Sequence, residues 1–177
     1  MSTLVFNIAH FFPSLNHWLL PLILNKAGFD PRISSFFTDY LVGRKTCYLW
    51  NNFSSPLFNV DVEVGQGSAL SLVLSALYLT PISHILEKIL KNLKIPVILI
   101  SFIDNGLFVS QEKSFEKSNS YLFCSYNIIS FLLNQFGLVI KYGKTEKFYF
   151  SRSHRAFNPF LLDLSILGDP ILHPKDI

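Results

Sequence analysis

The segment ISFIDNGLFVS, residues 100–110, constrains the fold more than any other part of this sequence. Two apolar runs flank Asp104-Asn105-Gly106, and Asn-Gly between β-forming residues is among the strongest short-range signals for a β-hairpin. The local chemistry therefore predicts two antiparallel strands that meet in a tight turn at these three residues. The turn also carries an acid beside an amide, so a turn that holds ligands for a metal ion is a second interpretation.

Extended and helical patterns alternate along the rest of the chain. Residues 3–8 are apolar and rich in β-formers, which predicts a buried strand. Asp30-Pro31 is typical of a helix start, with a capping acid followed by proline in the first turn. The apolar patterns further on predict a long helix from residue 69 to about 93 and an amphipathic helix over residues 114–137.

Further strands are predicted between and after these helices. Residues 45–50 and 57–64 are β-forming runs on either side of a turn-rich segment, and the alternation from Phe58 to Val64 predicts one buried face. Residues 147–151 form a last short strand. Two hairpins interleaved with helices predict an α+β fold, a mainly antiparallel sheet with helices packed on one face.

The composition excludes some classes of protein. The chain has 177 residues, of which 50% are hydrophobic and 15% charged, and its mean hydropathy is +0.36, so it is not disordered. A net charge of +3 is compatible with a phosphate-bearing partner without requiring one. Two cysteines, Cys47 and Cys124, form no disulfide framework and favour a reducing, intracellular location, nuclear or cytoplasmic.

One stretch is long enough to cross a membrane. Residues 64–86 contain no charged side chain. The stretch also contains glutamine, histidine, threonine and several serines, which favours a buried core helix over a membrane span. We therefore expect no membrane contact, and a membrane-associated protein is kept as an alternative.

Four segments in order carry a family resemblance. They are FNIAHFFPSLNH, VGQGSALSLVLSALY, SFIDNGLFVS and FGLVIKYGKTEKFYFSR. Together, over roughly residues 4–152, they resemble the palm of a reverse transcriptase, an RNA-directed DNA polymerase, from a fungal-like non-LTR (LINE-type) retrotransposon. The family pattern is a strand ending in Asp, a Gln-Gly-Ser loop, an aromatic-x-Asp-Asp hairpin and a Gly-Leu run that leads to Lys. The resemblance implies template-directed DNA synthesis by two-metal nucleotidyl transfer.

The resemblance assigns catalytic positions to Asn7, Asp104, Asn105 and Lys144, and metal positions to Asn7, Ile8 and Asp104. The family has Asp where this chain has Asn7 and Asn105, so one of three acids remains. The implied cofactor is Mg²⁺, which prefers anionic oxygen ligands. The lost attraction amounts to several kcal/mol at an effective dielectric of about 20. We therefore predict weak metal binding and a catalytically crippled pseudoenzyme.

The resemblance also assigns a nucleotide site to Phe12, Gln66, Gly67 and Ser68, with Lys144 facing the triphosphate. Each residue has an ordinary structural interpretation as well: a core phenylalanine, a turn with a helix cap, and a solvated surface lysine. The implied partners are an RNA template, a DNA primer and deoxynucleotides.

At the level of domains, residues 1–177 are predicted to be one partial reverse transcriptase domain, a palm whose fingers and thumb are missing. Binding to nucleic acid increases with the number of phosphates neutralised, so we expect weak, salt-sensitive binding. A non-catalytic module that binds nucleic acid or another partner is the main alternative to a decayed enzyme.

Overall fold

A computed structural model describes residues 1–60 and 69–150. The chain divides into two compact units. Within the described residues, the first consists of residues 1–9 and 82–150, and the second of residues 10–60 and 69–81. Predictions that concern residues 61–68 or 151–177 lie outside the described residues.

The described elements combine helices with short and long strands. In chain order they are β1 (Ser2–Ala9), α1 (Phe11–Ser14), α2 (Leu19–Lys26), α3 (Pro31–Leu41), β2 (Lys45–Thr46), β3 (Leu49–Trp50), β4 (Phe53–Ser54), β5 (Phe58–Asn59), α4 (Ala69–Asn92), β6 (Val97–Phe102), β7 (Asn105–Ser110), α5 (Phe115–Gln135), β8 (Val139–Ile140) and β9 (Glu146–Tyr149). This is the mixture of helix and antiparallel sheet expected of an α+β fold.

The first unit is built on a five-stranded antiparallel sheet. Its order is β6-β7-β1-β8, and β9 also pairs with β1. Alternate residues of β1 are buried, with Leu4 2%, Phe6 3% and Ile8 4% exposed. The ring of Phe6 lies 5.4 Å from that of Phe108 in β7 and 6.3 Å from that of Tyr126 in α5. The core of this unit therefore lies between the sheet and α5.

Local residues begin the helices as the sequence predicts. The side chain of Asp30 accepts a hydrogen bond from the backbone N–H of Arg32 at 2.8 Å, and Pro31 is the first residue of α3. The hydroxyl of Ser114 accepts from the backbone N–H of Lys117 at the start of α5. Both caps satisfy N–H groups that the first turn of a helix leaves unpaired.

The hairpins of the second unit differ from the prediction. The described part of this unit contains four two-residue strands, and β2 pairs with β5 while β3 pairs with β4. Trp50 pairs with Phe53 around a turn at residues 51–52 in which Asn51 has φ +51°, so the chain reverses within the segment predicted as the turn, but the next two residues of that segment form a strand. Phe58 is 39% exposed, and the predicted burial of this residue is wrong. Two-residue ladders bury little surface, which explains this exposure.

The helix α4 has one row of fully buried side chains along its length. Leu74, Tyr78, Ile82 and Leu86 recur at intervals of four residues and are each 0–1% exposed. By length and composition alone, Leu70–Asn92 is long and apolar enough to cross a membrane, and it is the one such helix in the described part of the chain. A stripe of this kind is what a helix packed on a core shows.

Candidate functional site

The site begins where β1 and β7 run side by side. Antiparallel pairing places Asn7 directly opposite Asn105, so the two side chains project from the same face of the sheet. Asp104 precedes Asn105 in the connection from β6. Its carbonyl oxygen accepts a hydrogen bond from the backbone N–H of Ile8 at 2.7 Å. Main-chain pairing thus brings three of the predicted catalytic positions together.

The three side chains close a ring of hydrogen bonds. The Nδ2 of Asn7 donates to Oδ2 of Asp104 at 2.8 Å and to Oδ1 of Asn105 at 3.2 Å. The Nδ2 of Asn105 donates to Oδ1 of Asp104 at 2.9 Å. Both oxygens of the one carboxylate therefore accept hydrogen bonds from side-chain amides of the protein itself.

The turn of the hairpin begins one residue earlier than predicted and ends two residues earlier. Phe102 pairs with Asn105, so Ile103 and Asp104 form the turn, and Asn105 and Gly106 begin β7. The prediction of a turn at Asp104-Asn105-Gly106 is wrong in its last two residues. Ile103 has φ +55°, a conformation that costs a β-branched residue on the order of 1–3 kcal/mol.

The segment that carries Lys144 is attached to the same strand. The backbone N–H of Lys141 donates to the carbonyl oxygen of Asn7 at 2.7 Å, and a 3₁₀ turn over Tyr142–Lys144 follows in contact with β1. Lys144 itself is exposed. Ile8 is buried and its side chain is a hydrocarbon, so only its main chain offers polar atoms.

The predicted nucleotide site is described only at Phe12. This residue belongs to the second unit and lies in the short helix α1. Its half-buried ring is 5.5 Å from the ring of Phe11. Gln66, Gly67 and Ser68 lie outside the described residues.

The residues at the site do not fit a pair of Mg²⁺ ions. The cluster offers one carboxylate and two amides, and both carboxylate oxygens already accept hydrogen bonds. Across residues 1–60 and 69–150, no group of three or more His, Cys, Asp or Glu side chains could hold a metal ion. Mg²⁺ binds through hard anionic oxygen and loses its hydration water reluctantly, and a single carboxylate compensates little of that cost.

Two contributors to this geometry were missed by the sequence prediction. Ile103 shapes the turn through a positive φ, which a β-branched residue does not signal. Lys141 contributes a main-chain N–H, which every residue except proline possesses. No sequence signal could have found either residue, because their roles depend on backbone geometry.

Comparison with known proteins defines the class of fold. No protein-family model matches the chain, and no curated protein matches its sequence. Among solved structures, telomerase from Candida tropicalis in complex with the TWJ fragment of telomeric RNA is similar, with a TM-score of 0.63 at 13% identity over 83% of this chain. An apo telomerase from Candida tropicalis, truncated from its C-terminal domain, gives a TM-score of 0.52 at 14% identity over 88%.

Telomerase is a reverse transcriptase, so these similarities show a reverse-transcriptase-like fold. The coarse prediction of fold is therefore confirmed. This chain spans 26% of one telomerase chain and 31% of the other.

Proposed function

We propose that this chain is the palm part of a reverse transcriptase of non-LTR retrotransposon origin, in which the fold is kept and nucleotidyl transfer is lost. One observation carries the proposal. Asn7, Asp104 and Asn105 occupy the positions that the sequence resemblance gives to the catalytic acids. Their side chains form a closed ring of hydrogen bonds with one another. The retrotransposon origin is supported by the four sequence motifs.

The chemistry of DNA synthesis explains why this ring favours inactivity. The primer 3′-hydroxyl must lose a proton, and the charge on the transferred phosphoryl group must be offset during the reaction. One carboxylate that already accepts hydrogen bonds from two amides offers little for either task. Because each ~1.4 kcal/mol of lost transition-state stabilisation costs a factor of ten, losing two acids corresponds to orders of magnitude in rate.

Nucleic acid is the partner that we propose for the fold. The similar telomerase was solved with an RNA fragment, and this chain has a net charge of +3. Template RNA, primer DNA and deoxynucleotides are the ligands that the sequence resemblance implies. Electrostatic contact with phosphates makes such binding weak and dependent on salt.

Primer extension with the natural chain tests the loss of catalysis. A labelled DNA primer on an RNA template is incubated with all four deoxynucleotides and either Mg²⁺ or Mn²⁺. We expect no extended product above a protein-free control. Robust template-dependent synthesis would overturn the proposal.

A binding experiment separates a decayed enzyme from a non-catalytic nucleic-acid-binding module. Fluorescence anisotropy of a primer–template duplex is measured against protein concentration at several salt concentrations. Binding that falls steeply with salt, together with no synthesis, supports a binding module that keeps the fold. Absence of binding at low salt favours a remnant of an enzyme that no longer binds nucleic acid.

A further inference from the structure

The strand β6 lies at one edge of the sheet in the first unit. Among the described residues it pairs with β7 on one side and with no strand on the other. An edge strand directs alternate N–H and C=O groups outward, and natural proteins usually protect such an edge with charges, proline or a bulge. The sequence of β6 is VILISF, which has none of these residues.

Four side chains of β6 are exposed, and the three apolar ones lie on one face while Ser101 lies on the other. Ile98 is 60% exposed, Ile100 55% and Phe102 73%. Their spacing of two residues places them in one row on the sheet, since successive strand residues alternate between faces. Val97, on the opposite face, is 9% exposed. An apolar row therefore runs beside an unprotected backbone edge.

We propose that β6 pairs antiparallel with β6 of a second copy of this chain and joins the two sheets into one. A two-fold axis perpendicular to the sheet relates identical antiparallel strands and keeps both apolar rows on the same side. In the register centred on Ile100, this residue lies opposite its own copy, and Ile98 lies opposite Phe102. The two rows then form one continuous apolar surface.

Charges at the ends of β6 favour this antiparallel arrangement. Lys94 precedes the strand and Asp104 follows it. Antiparallel pairing brings Lys94 of each copy to the end of the partner strand that carries Asp104, whereas parallel pairing would place like charges together. Because Asn7 and Asn105 hold the Asp104 carboxylate, this attraction acts through space without a contact ion pair, and it adds little affinity but favours the antiparallel direction.

The opposite edge of the sheet explains why the assembly stops at two copies. Both β8 and β9 pair with β1 at this edge; β8 has only two residues to offer a partner, and β9 contains Glu146 and Lys147. Charged residues on an edge strand oppose pairing with an uncharged apolar strand. Pairing of β6 with β6 is therefore favoured over head-to-tail pairing of β6 with β9, which would extend without end.

Sedimentation velocity over a wide range of protein concentration tests the proposal. A six-residue strand pair buries less than the ~800 Å² per partner of a typical stable interface, so we expect a reversible dimer that dissociates on dilution. Ile100→Lys should be monomeric throughout the range. Phe131→Lys is the matched control, since Phe131 lies in α5 and is 63% exposed, and it should dimerise as the natural chain does.

Circular dichroism checks whether each variant is folded. If Ile100→Lys does not fold, Ile98→Lys provides the same test at a neighbouring position of the apolar row. The proposal is overturned by a natural chain that stays monomeric, by an Ile100→Lys variant that dimerises unchanged, or by open-ended aggregates in place of a dimer. Loss of the dimer in Phe131→Lys would also overturn it, because the contact would then lie elsewhere.

Cysteine crosslinking tests the register. In a chain with Cys47→Ser and Cys124→Ser, Ile100→Cys places one thiol opposite its copy. Opposed Cα atoms in antiparallel strands are about 4.5–5.5 Å apart, within the range that a disulfide spans. Mild oxidation should link the copies through position 100. Equal linkage through Phe131→Cys would contradict the assignment.

Discussion

The ring of Phe6 occupies the space where a side chain at Gly106 would begin. The two residues are partners across β1 and β7, and a Cβ atom on Gly106 would be 2.1 Å from Cζ of Phe6. Phe6 cannot move away freely, because it is 3% exposed and packs against Phe108 and Tyr126. The hairpin that carries Asp104 is therefore aligned on β1 by an aromatic ring seated on a glycine.

Gly106→Ala should lower the free energy of unfolding by at least ~2 kcal/mol, since an added methyl group overpacks a filled core. Urea denaturation followed by circular dichroism measures the change. Gly143→Ala is the matched control, because a Cβ there meets nothing within 4 Å. Adding Phe6→Leu to Gly106→Ala should recover part of the loss. Equal stability of the two alanine variants would contradict the proposed contact.

The buried hydroxyls of Ser2 and Ser110 lie on paired strand residues and make no hydrogen bond within the described part of the chain. Ser2 and Ser110 are partners in β1 and β7, both are 0% exposed, and neither hydroxyl has a hydrogen-bond partner in the described part of the chain. An unsatisfied buried hydroxyl costs roughly 1–3 kcal/mol. Ser110→Ala should therefore leave stability unchanged or raise it by about 1 kcal/mol.

Ser125→Ala is the control for this prediction. The Ser125 hydroxyl is equally buried but donates to the carbonyl oxygen of Tyr121 at 2.8 Å. Its removal should lower stability by about 1 kcal/mol, the net value of one hydrogen bond. Thermal unfolding of both variants beside the natural chain measures the difference. A larger loss in Ser110→Ala than in Ser125→Ala would show that the Ser110 hydroxyl is satisfied.

Stability should depend on pH through Lys147 and Tyr149. Lys147 in β9 donates to Oδ1 of Asn119 and lies 4.9 Å from the centre of the Tyr149 ring. Burial lowers the pKa of Lys147 from 10.5 to about 8. Below pH 8 the amine is charged in both the folded and the unfolded chain, and its burial lowers the free energy of unfolding. This penalty disappears as pH rises from 8 towards 10.5, because the amine loses its proton first in the folded chain.

Tyr149 acts in the opposite direction at higher pH. Burial raises the pKa of its hydroxyl from 10.0 to about 12, so stability is lost as pH rises above 10. Urea denaturation across this range should show stability rising from pH 8, reaching a maximum near pH 10 and then falling. Lys147→Met should flatten the rise and keep the fall. A rise that persists in Lys147→Met would assign it to other groups.

Helix ends were predictable from the sequence, whereas the register of the hairpin was not. A cap is decided within a few residues, so Asp30 and Ser114 reveal the starts of α3 and α5. Asn105-Gly106 is also a strong local turn signal, yet these residues lie in a strand. Contact with β1 decides the register, because the glycine is required beneath Phe6. Tertiary packing here overrides a preference that is real but local.

Which residues meet at the candidate site was predictable from the sequence, but the details of their contacts were not. The order of the sequence motifs brought Asn7 together with Asp104 and Asn105, and the structure has them in hydrogen-bond contact. The direction of those hydrogen bonds was not predictable, because it depends on side-chain conformations fixed by the strand pairing. The positive φ of Ile103 was hidden for the same reason.

Asn7→Asp tests whether the amide stabilises the carboxylate of Asp104. The substitution removes the 2.8 Å donor and places a second negative charge beside the first. At neutral pH we expect the free energy of unfolding to fall by on the order of 2 kcal/mol. Coulomb repulsion between the two carboxylates causes the loss, and partial exposure to water keeps it modest. Repulsion raises the pKa of the new acid, so the deficit should be full at neutral pH and shrink as falling pH protonates it.

Urea denaturation at neutral and acidic pH measures the Asn7→Asp effect, and Asn127→Asp is the control. Asn127 is exposed in α5, and its substitution should change stability by less than ~0.5 kcal/mol. Divalent cations should stabilise Asn7→Asp more than the natural chain, because two carboxylates attract a cation better than one carboxylate held by amides. An equal shift in both proteins would mean that the added acid does not face Asp104.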